Sequence, residues 1–187
     1  MSKLDAAIHR SLSDGDIKSG CKLIAGVTAN VISYRELQHV ERLEEILGPS
    51  RCVCILYVWA SEGGGDNGHW ITVHEEGDGI EFFDSLGNTG RSSGAPDSEL
   101  ALVPPESKKE LGEDFPYLQR LIRATGKKIS YNHTALQAPS AATCGRHVIV
   151  RLSKRGLPLS QYVSFLHAGR ASPDETVTRI TFPVLGK

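Results

Sequence analysis

Residues 51–84 read RCVCILYVWASEGGGDNGHWITVHEEGDGIEFFD, and they decide the fold because they encode a run of three strands. Arg51–Trp59 is an almost continuous apolar run rich in β-branched residues, the pattern of a strand covered on both faces. Ser61–Gly68 is a glycine-rich loop. His69–His74 reads as a second strand, Glu75–Gly79 as a turn, and Ile80–Asp84 as a third strand.

Toward the N-terminus, Leu4–Leu12 is predicted as a short helix ended by Asp14-Gly15, with a loop-rich stretch from there to Ile32. Ser33 with Glu36 makes a capping box. Leu37, Val40, Leu43 and Leu47 continue at helical spacing until Gly48-Pro49 stops them. Toward the C-terminus, Ser85–Ser107 is a polar loop rich in Gly, Ser and Pro. Asp114-Phe-Pro116 opens a helix to Gly126, Lys127–Tyr131 is a strand, and Asn132–Thr143 is irregular. Cys144–Gly156 is a helix with Val148, Ile149 and Leu152 on one face and Lys154 and Arg155 at its C-terminal end. Ser160–His167 is a further helix. Ser172-Pro-Asp-Glu175 is a second capping signature, and the β-branched residues after it fit helix or strand. The sum is a single α+β domain over residues 1–187, with a small central mixed β-sheet flanked by helices.

Composition excludes several classes. A chain of 187 residues is about one domain, and it can bury a core without disulfide or metal staples. Lys+Arg 21 against Asp+Glu 22 leaves a net charge of -1, which gives no basic footprint for nucleic acid or an anionic membrane surface. No apolar run approaches the roughly 20 residues of a membrane span. The start, MSKLDAAIHRSLSDGD, has no apolar segment of the signal-peptide kind, so a reducing compartment is expected.

The 4 cysteines then divide by context. Cys52 and Cys54 alternate within the first strand as small hydrophobes, and no second close pair of ligands follows to complete a metal site. Cys21 has no informative surroundings. Cys144 stands at the start of a helix, where free N–H groups and the helix dipole stabilise a thiolate and offer donors to an oxyanion. Gly145 after it would let a substrate backbone approach closely.

A nucleophilic cysteine needs a base, and a third group must orient that base. Of the 7 histidines, His9, His39 and His167 occupy surface positions, and His147 lies along the helix rather than over the thiol. His133 precedes the irregular stretch. His69 opens a strand directly after the glycine loop, where a sheet presents residues to a cleft. Asp84, 15 residues on at the end of the next strand, can meet it at one sheet edge. Gln137 precedes Cys144 by 7 residues, and its amide could complete an oxyanion hole with the Cys144 N–H.

Gly-His-Trp at 68–70, Phe-Phe-Asp-Ser-Leu-Gly at 82–87 and Leu-Gln-Ala-Pro-Ser-Ala-Ala-Thr-Cys-Gly at 136–145 resemble the adenovirus-type maturation cysteine proteases. These are related to the SUMO- and ubiquitin-like-specific cysteine proteases. The likeness covers roughly residues 51–153, and its specificity lies in the order His, Asp, Gln, Cys-Gly. It implies Cys144 as nucleophile, His69 as base, Asp84 as its orienter, Gln137 as oxyanion donor, and Trp70 as the wall of a narrow substrate channel. It implies no cofactor. Adenovirus enzymes tend to place glutamate where this chain has Asp84. Small residues before the cysteine (Ser140, Ala141, Ala142) favour the viral branch over the deconjugating enzymes, which place an acidic residue just before it.

By that resemblance the expected work is cleavage of viral capsid or core precursor proteins at Gly-Gly or Gly-X sites during virion maturation. The virus would be of the adenovirus-like or virophage-like kind. The chain would be a monomer off the membrane, in the virion and infected host cell, with any need for an activating peptide or DNA left open. Three alternatives stand beside it: a deconjugating protease for a ubiquitin-like protein, an acetyltransferase with the same His–acid–Cys set, and a metal-binding module built from Cys52, Cys54, His69 and His74.

Overall fold

A computed structural model describes residues 2–60, 66–87 and 116–186. Its centre is a five-stranded mixed sheet in the order β1-β2-β3-β4-β5. The strands are β1 Asn30–Ser33, β2 Cys52–Ala60, β3 Asp66–Glu76, β4 Gly79–Phe83 and β5 Lys128–Tyr131. The central three are antiparallel neighbours, and β1 and β5 join the two flanks in parallel. The expected strands are all present. β3 is longer than its apolar alternation suggested, because pairing with β2 carries it back to Asp66, opposite Ala60.

Alternation sorts the side chains to two covered faces. Val53, Ile55 and Tyr57 of β2, Ile71 and Val73 of β3, and Ile80 and Phe82 of β4 face one way. There they meet Tyr34, Leu37 and Leu43, with Leu118, Leu121 and Ile122 of α3 (Tyr117–Ala124). Cys52, Cys54 and Trp70 face the other way, onto Ile17 and Cys21 of α2 (Asp14–Leu23) and Val148, Ile149 and Leu152 of α4 (Cys144–Ser153). Two covered faces explain why β2 is apolar at nearly every position.

Helices α5 (Leu159–His167) and α6 (Pro173–Leu185) close the second face. Helix α4 lies beneath them, buried at every position from Cys144 to Leu152, although only part of its surface is apolar. Of its buried charged residues, Arg151 makes a two-pronged pair with Glu81 at 2.6 Å from both Nε and Nη2, with both side chains fully buried, and Arg146 donates from Nη1 to the Thr181 hydroxyl.

Three sequence expectations are corrected. The N-terminal helix α1 covers Lys3–Ile8 and stops before Leu12. The stretch expected to be loop holds α2, whose Ser13–Asp16 capping box lies within the Asp14-Gly15 region read as a stop. The Ser33–Glu36 capping box is present, but it heads a 3₁₀ helix, Tyr34–His39, followed by another at Leu43–Glu45. Val40 leaves helical geometry between them, so the helical spacing of Leu37 and Leu43 serves two short turns packed on the sheet. The open assignment after Ser172 resolves as helix α6, capped by the Ser172 hydroxyl accepting from the Glu175 N–H. The polar loop after Gly87 and the Asp114-Phe start of α3 lie outside the described residues, as do residues 61–65.

Candidate active site

The site forms where β3, the turn after β4 and the head of α4 converge. One step beyond the Thr72–Phe83 pairing, Asp84 leaves β4 opposite Ile71, a diagonal from His69 on the neighbouring strand. The His69 Nε2–H donates to Asp84 Oδ1 at 2.7 Å, with both side chains buried. The ring is also hydrogen-bonded to the Cys144 thiol. Cys144 is the first residue of α4, and the backbone N–H groups of Trp70 and Gly145 donate to its sulfur.

These contacts set the charges. Burial pushes the Cys144 thiol up, but the His69 cation, its hydrogen bond and the two backbone donors outweigh this and bring it below its ordinary value. Burial would likewise lower His69, yet the Asp84 carboxylate and the thiolate hold the imidazolium to a pKa of about 10. Both shifts run in the direction that favours a thiolate–imidazolium pair.

The turn that carries Asp84 also holds the oxyanion candidate, Gln137, which lies on a second loop. Asp84 Oδ1 accepts from the Leu86 N–H as well as from His69, and Gly87 closes the turn at φ +76. A Cβ on Gly87 would stand 2.7 Å from the Ala135 nitrogen, so glycine is what lets the two loops meet. Across that contact the Ser85 carbonyl accepts from the Leu136 and Gln137 N–H groups, and the Ser85 hydroxyl donates to Gln137 Oε1 at 2.7 Å. Gln137 Nε2 donates to the Ala141 carbonyl at 2.6 Å, which occupies one of its hydrogens and leaves the other.

Trp70 is 2% exposed, and its indole N–H donates to the Leu12 carbonyl at 3.0 Å. With Ser11, Leu12, Leu56, Val58 and Gly68 it lines a cleft of about 310 Å³ that ends at Cys144. The core crowds Gly145: a Cβ there would lie 2.9 Å from Ile17 Cδ1 and 3.2 Å from both Leu12 Cβ and Trp70 Cδ1.

Four supporting residues carried no usable sequence signal. Asn132, after β5, accepts from the Asp84 N–H and donates to the Asp84 carbonyl, clamping the backbone behind the carboxylate. His147 is fully buried along α4, and its Nε2–H donates to Asp174. Asp174 and Thr143 complete that contact. Asp174 lay inside a capping signature, and only the fold shows that its side chain turns inward.

The four-residue metal set of the last alternative is not brought together. Among the described residues, the group of His, Cys, Asp or Glu atoms close enough to share an ion is His74, Glu76 and Glu81, and Glu81 is already engaged by Arg151. No helix among the described residues is long and apolar enough to cross a membrane.

The geometry brings Cys144, His69 and Asp84 together at a helix N-terminus. No family model matches the chain, and no curated protein matches it. Among solved structures it is similar to the SUMO protease Ulp1 with its catalytic cysteine oxidised to a sulfinic acid (15% identity, 98% of this chain and 81% of that one, TM-score 0.44). It is also similar to ChlaDub1 from Chlamydia trachomatis (14%, 96% and 93%, TM-score 0.48). A third similar structure is the ASFV pS273R protease (13%, 91% and 66%, TM-score 0.44).

Proposed function

We propose that the chain is a cysteine endopeptidase that cleaves viral capsid or core precursor proteins at Gly-Gly or Gly-X sites. It would act as a monomer in the virion and the infected host cell. The observation that carries the peptidase reading is the single imidazole of His69 bridging Asp84 and Cys144 at the head of α4.

The Cys144 thiolate attacks the scissile carbonyl carbon, forming a C–S bond and an oxyanion. The Cys144 N–H and the second Gln137 Nε2 hydrogen face that charge as it develops. Collapse breaks the C–N bond, and the His69 imidazolium gives its proton to the departing amine. Neutral His69 then takes a proton from water, whose oxygen displaces sulfur from the thioester and releases the acid. Asp84 holds the ring and its charge throughout.

The small residues Ser140, Ala141 and Ala142 ahead of Cys144 support the viral branch. The test is incubation with a capsid precursor, a ubiquitin-like precursor and acetyl-coenzyme A, each with wild type and Cys144→Ala. Cys144-dependent cleavage of the capsid precursor is the expected result. Cleavage confined to the ubiquitin-like precursor would assign deconjugation, and acetyl transfer without hydrolysis would assign an acetyltransferase.

A further inference from the structure

Asp174 is the second residue of α6, 5% exposed, and it binds two points of the segment that joins Gln137 to Cys144 and a third within α4. Its Oδ2 accepts from the Ala138 N–H at 2.9 Å, next to Gln137. Its Oδ1 accepts from the Thr143 hydroxyl, next to Cys144, and from His147 Nε2 at 3.1 Å, one turn into α4. Both ends of the catalytic loop hang from one carboxylate.

A second observation concerns what Thr143 does not do. It is the N-cap residue of α4, and a threonine there ordinarily turns its hydroxyl onto the N–H groups of the first turn. Thr143 makes no such bond: its side chain is turned to Asp174, to which the hydroxyl donates. The first-turn donors of α4 stay uncapped, and one of them, the Gly145 N–H, goes to the Cys144 sulfur.

We infer that Asp174 is a positioning residue: it draws the Thr143 hydroxyl off the head of α4, keeping the helix N–H groups free for the Cys144 thiolate and the oxyanion, and it anchors the Gln137 loop beside them. The inference rests on the reading of Cys144 as nucleophile. Burial holds His147 neutral, against the opposing pull of Asp174, so the clamp adds no cation beside the nucleophile. The ionisable groups around the sulfur are His69 from β3, Asp84 behind it after β4, His147 along α4, and Asp174 from α6.

Without the carboxylate, the Thr143 hydroxyl is released to cap α4 and compete for those donors. The readout is the pH dependence of Cys144 alkylation by iodoacetamide, which follows the thiol whatever the substrate. Asp174→Asn should raise the midpoint by about half a pH unit, the scale of a helix-terminus interaction. Adding Thr143→Val to it should return the midpoint toward wild type, because no hydroxyl remains to cap. A purely structural loss would not be repaired by a second deletion.

Thr143→Asn, which offers a strong capping oxygen while Asp174 is intact, should raise the midpoint by itself and keeps the idea testable should Asp174→Asn fail to fold. Unmoved midpoints in folded Asp174→Asn or in Thr143→Asn overturn the inference, as does failure of Thr143→Val to reverse the shift. Loss of the peptidase reading would show separately, as hydrolysis that survives Cys144→Ala.

Discussion

His69 donates from Nε2 to Asp84 Oδ1 at 2.7 Å, and the same ring is hydrogen-bonded to the Cys144 sulfur. One imidazole therefore ties together β3, the residue after β4 and the first residue of α4. The tie explains the charge state: a carboxylate on one side and a thiolate on the other both favour the protonated ring.

The pH profile should follow from that pairing. Activity should rise as pH climbs through the lowered Cys144 pKa, which creates the nucleophile. It should fall as His69 loses its proton near pH 10, which removes the general acid. Asp84→Asn deletes the negative neighbour, and a cation without its anion has a lower pKa. The alkaline limb of kcat/KM should therefore move toward acid, with an unmoved limb counting against the assignment.

Iodoacetamide should distinguish the cysteines. Burial pushes Cys52 up to about 11, and the Cys21 contact together with burial raises Cys54 well above the ordinary thiol value. Cys21 is drawn down by its hydrogen bond with Cys54 but is 1% exposed, on the face of α2 that packs against the sheet. Cys144 alone combines a lowered pKa with an open cleft. Mass spectrometry after brief labelling near neutral pH should find the label on Cys144. Primary labelling of Cys21 would contradict this.

Gln137→Ala should lower kcat by roughly 10²–10³, with little change in KM, because the amide meets the carbonyl oxygen fully only once it carries charge. Ser85→Ala leaves the amide present but frees its Oε1, so it should give a smaller loss in the same direction. A Gln137→Ala loss found wholly in KM would make the side chain a substrate binder instead.

The catalytic candidates were legible in the sequence and their supports were not, for physical reasons. His69 and Asp84 could be paired because a short turn between strands fixes their separation on the sheet. Cys144 was legible because it heads a helical run whose apolar residues Val148, Ile149 and Leu152 share one face. Asn132, His147 and Asp174 act through contacts that span from 27 to 48 residues of chain, and no periodicity encodes those. The crowding of Gly145 by Ile17, Leu12 and Trp70 is likewise visible only in the packing. The helix read through Leu47 failed for a related cause: sheet packing favours two 3₁₀ turns over one continuous α-helix there.

The fold's stability should depend on Glu81 and Arg151. Both side chains are fully buried, and Arg151 also donates to the Lys154 and Leu157 carbonyls. Removing one partner strands the other charge in the core, at a cost of about 3–5 kcal/mol. Arg151→Met should show this in urea unfolding. The double variant Glu81→Leu/Arg151→Met should recover much of the loss, since it leaves no unpaired charge. Equal destabilisation in single and double variants would mean that the carbonyl contacts, not the ion pair, carry the effect.

Specificity should follow the cleft that ends at Cys144. Its walls are Leu12, Leu56, Val58 and Trp70, with Ser11 and Gly68 at its rim, and its volume of about 310 Å³ admits a slender chain. Side chains directly before the scissile bond would collide with the Trp70 wall, whereas glycine fits and adopts backbone angles that other residues avoid. Trp70→Ala is a poor probe of this wall, because deleting a buried indole costs about 3–5 kcal/mol and would release Leu12. Leu56 and Val58 are only half-buried and can be trimmed with less disturbance. In a peptide library read by mass spectrometry, wild type should cut beside Gly-Gly or Gly-X pairs. Leu56→Ala and Val58→Ala should widen the accepted set toward larger residues while leaving Cys144 alkylation unchanged. Efficient wild-type cleavage after bulky or basic residues would overturn the channel argument, even with Cys144 established as the nucleophile.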